Sequence, residues 1–266
     1  KHQKGGDMLA LIPGRANGGA FIQVVTAERA YNIPYDLDAY QKSGFAEVRI
    51  GNSRFTRSGA ELNIQTERLF LTGSLQYHNP TPIAYDIMGP FRYLPMECRH
   101  SVVSMDHELE GELMLNGKEI DFTGGRGYIE GDRGRSFPDR YVWVQCNCFD
   151  EPCSVMASVA RIPFAGMRFW GCICIVFWRG KEHRLATYKG ARVLARSGER
   201  IALAQGKYRL EITLKSSGGH PLFAPDKGDM TRIIHESSNC EARFRFFIGK
   251  KEAFDKTSRH ASFEYV

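Results

Sequence analysis

No stretch of this chain is apolar for long enough to cross a membrane as a helix. The longest run, Phe169 to Trp178, is ten residues, half of what a spanning helix requires, and reads as a buried strand. No signal peptide is visible, and the chain opens on Lys1 rather than Met, as expected of a processed or partial product. Helical periodicity beyond about two turns is missing as well, which leaves an all-β reading.

Several chemical signatures are also absent. Gly124 to Gly134 lacks the Gly-Lys-Ser/Thr ending of a phosphate loop and no helix follows it, which argues against nucleotide binding. There is no Gly-x-Ser-x-Gly elbow, and Asp106-His107 is half of a hydrolytic dyad with no nucleophile to serve it. Glu97, His100, Asp106 and His107 are too dispersed for a metal site and read as hydrogen-bonded structural groups.

The seven cysteines are odd in number and lack the spacing of a disulfide framework. Cys146 with Cys148, and Cys172 with Cys174, would present thiols on one side of a strand. Four small buried residues are the favoured reading over a thiolate zinc site, and reduced thiols imply a cytoplasmic setting. No nucleic-acid motif accompanies the local basic surplus, ten Lys or Arg against three Glu from Arg179 to Lys215. Its basic residues alternate with apolar ones, as on the wet face of a sheet, and would suit peripheral contact with an anionic membrane surface.

What the chain does have is strand after strand. Short apolar runs are expected at Met8 to Pro13, Gly19 to Thr26, Phe45 to Ile50, Leu62 to Thr66 and Leu69 to Tyr77, with Tyr31 to Tyr40 as an aromatic loop. Asn116-Gly117 closes a hairpin with a type I′ turn. After an irregular, proline-rich segment from His78 to Pro95, further strands run to the end, with a loop over Gly218 to Gly228. At 266 residues the pattern supports a pair of barrels or sandwiches.

Chemistry is densest from Gly124 to Phe149. The first half is glycine-rich and reads as turns, with five charges between Arg126 and Arg135. In the second half Tyr141, Trp143, Gln145, Asn147 and Phe149 alternate with aliphatic residues and cysteines, giving a face suited to the wall of a ligand cavity. A carboxylic acid kept neutral by apolar surroundings can protonate a carbon–carbon double bond, and aromatic faces can stabilise the resulting cation. Asp132, Glu130, Asp106 and Asp86 are the candidate acids; for Asp132 a purely structural, salt-bridged role beside Arg126, Arg133 and Arg135 stands as the competing reading.

Six segments carry a resemblance: Asp86-Ile-Met-Gly-Pro-Phe91, Met96-Glu-Cys running into His100-Ser-Val-Val-Ser-Met-Asp-His107, Asn116-Gly-Lys, Asp121 through Glu130, Gly134-Arg-Ser-Phe-Pro138 and Met156 through Pro163. Together they closely resemble the tocopherol cyclase-like family, over nearly the whole chain. The resemblance implies two lipocalin-like antiparallel β halves packed together, expected at 1–122 and 123–266, and a relationship to carotenoid hydratase-type proteins. For plant members it implies cofactor-independent cyclisation of a prenylated hydroquinone. The expected partner is a small hydrophobic or amphipathic lipid, with no cofactor, no metal and no nucleic acid. Asp132, Asp106 and His107 are the expected catalytic residues; Asp86, Met88, Glu97, Glu130, Arg135, Tyr141, Trp143, Gln145 and Asn147 are expected to hold the ligand. A binding protein without chemistry is the alternative. The chain departs from the family's pattern at Arg133, where a Trp is usual, and at Cys148, where a His is usual; relatives also carry an aromatic strand before the point at which this sequence starts.

Overall fold

The computed structural model describes residues 1–44, 47–164, 166–216 and 220–266. The chain is all-β, built as two antiparallel lipocalin-like halves. The first comprises β1 (His2–Lys4), β2 (Asp7–Ala16), β3 (Gly19–Thr26), β4 (Ala30–Tyr35), β5 (Tyr40–Ser43), β6 (Glu47–Ile50), β7 (Ser53–Thr56), β8 (Gly59–Gln65), β9 (Phe70–His78), β10 (Cys98–Leu115), β11 (Lys118–Asp121) and β12 (Arg126–Gly134). The second comprises β13 (Tyr141–Cys146), β14 (Cys153–Phe164), β15 (Met167–Trp178), β16 (Lys181–Ala186), β17 (Arg192–Ser197), β18 (Arg200–Gln205), β19 (Tyr208–Ser216), β20 (His220–Asp226), β21 (Asp229–Ile248) and β22 (Lys251–Tyr265). The first sheet runs β4-β3-β2-β1-β12-β10-β9-β8-β7-β6-β5, with β11 on β10; the second runs β16-β15-β14-β13-β22-β21-β19-β18-β17, with β20 on β21. The change of sheet falls between Gly134 and Tyr141, beyond the division at 122/123 expected from sequence, because β12 pairs with β10 and β1.

Period-two alternation produces each interior. Leu210 and Ile212 of β19 are fully buried, while Glu211 between them is only half-buried and Arg209 before them is exposed. Leu62, Ile64, Leu71, Leu75 and Phe122 fill the first half, and Val144, Val155, Cys174, Phe244 and Phe246 the second. Asn116 and Gly117 have φ of 49° and 84°, the two positive angles that a type I′ turn demands.

Three expectations are corrected. Tyr31–Tyr40 is not a loop: β4 occupies Ala30–Tyr35, and Pro34 is tolerated because β4 is an edge strand bonded on one side only. The loop expected over Gly218–Gly228 contains β20, likewise paired on a single side, while Gly218 and Gly219 lie outside the described residues. The glycine-rich start of the central stretch turns only at Thr123–Gly124; from Arg126 to Gly134 it is not a turn cluster but β12. Its glycines serve close packing: a side chain at Gly127 would occupy the His107 ring, and one at Gly134 would strike the Glu97 carbonyl. Of the strand expected at Phe45 to Ile50, β6 covers Glu47–Ile50, and Phe45 and Ala46 lie outside the described residues.

The halves meet through two apolar contacts. Ile87, Met88, Val102, Met105 and Tyr128 pack on Met156 and Ile175 of the second sheet. Leu222, Ala224 and Ile234 of the β20–β21 hairpin reach back onto Met8, Ala10 and Val25. Between these contacts a pocket opens.

Candidate functional site

The pocket is walled by Met88, Phe91 and Met96 of the 78–97 segment, Cys98 and His100 of β10, Glu130 and Asp132 of β12, Tyr141 and Trp143 of β13, residues of β14 and β15, and Glu264 of β22. Its empty space, mouth included, is about 790 Å³. Strand register explains who shares it. His100 lies opposite Asp132 in the β10–β12 ladder, so Cys98, His100, Glu130 and Asp132 fall on one face by alternation. Trp143 lies opposite Glu264 in the β13–β22 ladder, and Tyr141, two residues before Trp143, shares its side.

Two polar groups result. In the first, His100 Nδ1 is 3.0 Å from Asp132 Oδ1, and its Nε2 lies 3.2 Å from Glu130 Oε2 as an ion-pair contact without hydrogen-bond alignment. Tyr128 donates to Glu130 Oε2 at 2.7 Å, and Cys98 to Asp132 Oδ1 at 3.5 Å. Burial alone would pull the His100 pKa down; Asp132 and then Glu130 outweigh it and hold the ring well above the usual histidine range, as an imidazolium. The second group is Glu264, whose side chain accepts a hydrogen bond from Tyr141. Its carboxyl is pushed well above the usual range, first by burial and then by repulsion from Glu130 and Asp132, so it holds its proton more tightly than an ordinary carboxyl.

Of the expected site residues, Met88, Glu130, Asp132, Tyr141 and Trp143 line this pocket; Trp143 Nε1 is buried there with no partner among the described residues. Asp106, His107, Gln145 and Asn147 gather elsewhere. Arg126 grips Asp106 with both Nε and Nη2, Asn147 Nδ2 donates to Asp106 Oδ1 at 3.0 Å and to the Gly127 carbonyl at 2.8 Å, and Gln145 donates to Asn147 at 3.1 Å. His107 faces the Tyr77 ring, 4.6 Å between centroids, and burial lowers its pKa to about 3. Asp86 caps the Met88 amide at 2.8 Å, and Glu97 and Arg135 are joined through their backbones. Arg133 is exposed opposite Arg99, on the face of β12 turned away from Asp132, while Cys148 contacts Asn147. Five of the cysteines are buried and none is disulfide-bonded.

Glu264 was not foreseen. It carries no motif, standing in the short run Ser262-Phe263-Glu264-Tyr265; the available signal was a lone acid in an otherwise apolar strand end. Only the pairing with β13 shows where it points.

Comparison with protein families decides the relationship. A profile described as tocopherol cyclase-like matches residues 72–264, most of the chain and every pocket residue. The chain belongs to the tocopherol cyclase-like family. Among solved structures, this tocopherol cyclase-like chain is similar to kievitone hydratase from Nectria haematococca, at 12% identity and a TM-score of 0.59, covering 98% of this chain and 84% of that one. It is also similar to CghA, at 10% identity and a TM-score of 0.53, covering 93% and 79%. These likenesses establish the shared two-sheet fold. Comparison with curated protein sequences found no match. Among the described residues no helix is long and apolar enough to cross a membrane.

Proposed function

We propose that this member of the family cyclises or hydrates an isoprenoid double bond in an amphipathic lipid, with Glu264 as the proton donor. The observation that carries this reading is a buried carboxyl with a raised pKa, bonded to Tyr141 and in no ion pair among the described residues, in a pocket that Phe91 and Trp143 also line. The Glu264 proton adds to one alkene carbon, and the positive charge left on the other is faced by aromatic rings. A hydroxyl of the ligand then attacks, closing a ring, or a water attacks, giving a tertiary alcohol. The proton released by the attacking oxygen restores the acid, so neither route needs an oxidant or a reductant. Glu130 and Asp132, held by His100, are acceptors that can orient the attacking hydroxyl.

The test is to incubate the protein with prenylated hydroquinones and polyenes and follow the products by chromatography and mass spectrometry. A changed retention at unchanged mass reports cyclisation, and a gain of one water reports hydration. Undiminished turnover by Glu264→Gln would remove Glu264 from the mechanism. A binding protein without chemistry is the second reading, favoured by the mutual pairing of His100, Glu130 and Asp132; lipid recovered unaltered but bound to the wild type would select it.

A further inference from the structure

One wall of the pocket is made by a segment with no strand of its own. Residues 84–88 lie between β9 and β10, and Met88 and Phe91 reach the pocket from this segment and the short 3-10 turn that follows it, Gly89–Tyr93. Its backbone is held by side chains of β16 and of the turn after it. Arg184, with a side chain only 4% exposed, donates from Nη2 to the Tyr85 carbonyl at 2.7 Å and from Nη1 to the Asp86 carbonyl at 2.9 Å. Tyr188 donates to the Ile87 carbonyl at 2.9 Å, and Glu182 accepts from the Ala84 amide at 2.7 Å. Four consecutive backbone groups are therefore satisfied by three side chains about 100 residues away in sequence.

The three clamp residues also fix one another. Arg184 Nε donates to Glu182 at 2.9 Å, its Nη1 to the Tyr188 hydroxyl at 3.1 Å, and its guanidinium lies over the Tyr85 ring at 3.6 Å from the centroid. Gly89, at φ +51°, passes against the Tyr188 ring so closely that a side chain would collide with it. A planar, five-donor fork suits this arrangement, since a lysine can meet one carbonyl or Glu182 but not hold the set in one plane.

We infer that Arg184 is a positioning residue for the pocket: from outside it, the Arg184–Glu182–Tyr188 clamp holds the 84–91 segment as a preformed wall, and ligand affinity depends on that clamp. This rests on the pocket being the ligand site. A wall held in place only part of the time weakens apparent affinity by the fraction of time it is in place.

Two measurements test it together. The neutral pair Glu182→Gln with Arg184→Met avoids stranding a buried carboxylate, and Tyr188→Phe removes a single contact. Hydrogen exchange of 84–91 needs no ligand, and the neutral fluorophore N-phenyl-1-naphthylamine reports the pocket. In the double variant, exchange of 84–91 should rise about tenfold and the apparent Kd for the fluorophore by a similar factor, with β14 and β15 as protected as before. Arg184→Lys should fall between, and Tyr188→Phe should show the same two changes at a few-fold. Unchanged exchange in 84–91 overturns the inference, as does an affinity loss that appears only with exchange rising throughout the second sheet. Should the double variant not fold, Tyr188→Phe decides by the same readings. Failure of the wild type to bind the fluorophore would count against the pocket as a ligand site, and exchange alone would then judge the clamp.

Discussion

Asp106 and Glu264 are equally buried, each 8% exposed, and their surroundings could hardly differ more. Asp106 sits in a region built to hold a charge: a two-pronged guanidinium from Arg126 and an amide from Asn147. Glu264 has a phenol for a partner, and two further carboxylates, Glu130 and Asp132, repel its charged form. Burial by itself therefore does not make a general acid; what decides is whether the fold supplies a cation. On the function proposed above, the first region ties strands together and the second supplies the proton, although the motifs around Asp106 are the more conspicuous in sequence.

The sharpest way to break this contrast is to neutralise each acid in turn. Glu264→Gln should lower turnover by about 10²–10⁴-fold, the range general acids contribute, while lipid binding persists. Asp106→Asn, compared at equal folded fraction by circular dichroism, should leave turnover nearly unchanged. Initial rates on a converted prenyl lipid decide, and equal losses in both variants would erase the distinction.

The converse manipulation removes the cation. Arg126→Met leaves Asp106 buried against Asn147 alone, and breaking a buried pair is costly. Because the Arg126 side chain is 38% exposed, water recovers part of that loss, and about 2 kcal/mol of destabilisation in urea unfolding is expected. Among the described residues Glu264 is held by the Tyr141 hydroxyl and by no ion pair, so the second region offers no equivalent change.

The two regions should also separate by pH. His107, beside Asp106, has its pKa lowered to about 3 by burial, so the unfolded chain binds a proton more readily. Stability is complete above the ordinary histidine value and falls as pH drops from about 6.5 towards 3, by up to about 1.4 kcal/mol per pH unit. Glu264 is raised, so its contribution has the opposite sign: present below the ordinary carboxylate value, and lost as pH rises towards the folded value. Urea midpoints across pH should show the acid-side slope flattened in His107→Gln and the decline on the alkaline side removed in Glu264→Gln. Exchange of those two effects between the variants would sink the assignment.

The fold was legible wherever alternation and turn chemistry are local, as at Asn116-Gly117 or along Tyr208 to Leu214. It was illegible where tertiary pairing overrides composition. Pro34 in β4 and the glycines of β12 read as breakers until the edge position of one and the tight packing of the other are known. The pocket followed the same rule. Tyr141, Trp143, Glu130 and Asp132 stand in a dense local stretch, whereas Glu264 meets Tyr141 across 123 residues and Arg184 meets Asp86 across 98. Their roles come from cross-strand register and packing, which no local window contains.

The smallest expected effect is the most discriminating. Tyr141 donates to the Glu264 carboxyl and also lines the pocket, so Tyr141→Phe keeps the ring and deletes one hydrogen bond. A donor to a carboxyl favours its ionised form; without the donor the carboxyl should hold its proton more tightly. Turnover at neutral pH should fall by only about three- to tenfold, in keeping with one hydrogen bond of about 1 kcal/mol. The alkaline limb of the pH–rate profile should meanwhile move to higher pH, because Glu264 stays protonated further up the scale. A simple loss of local packing would lower the rate without moving that limb. An acid placed at Asp132, which lies against His100 rather than Tyr141, would leave the limb where it was, so the direction of one shift separates the two carboxylates that share this pocket.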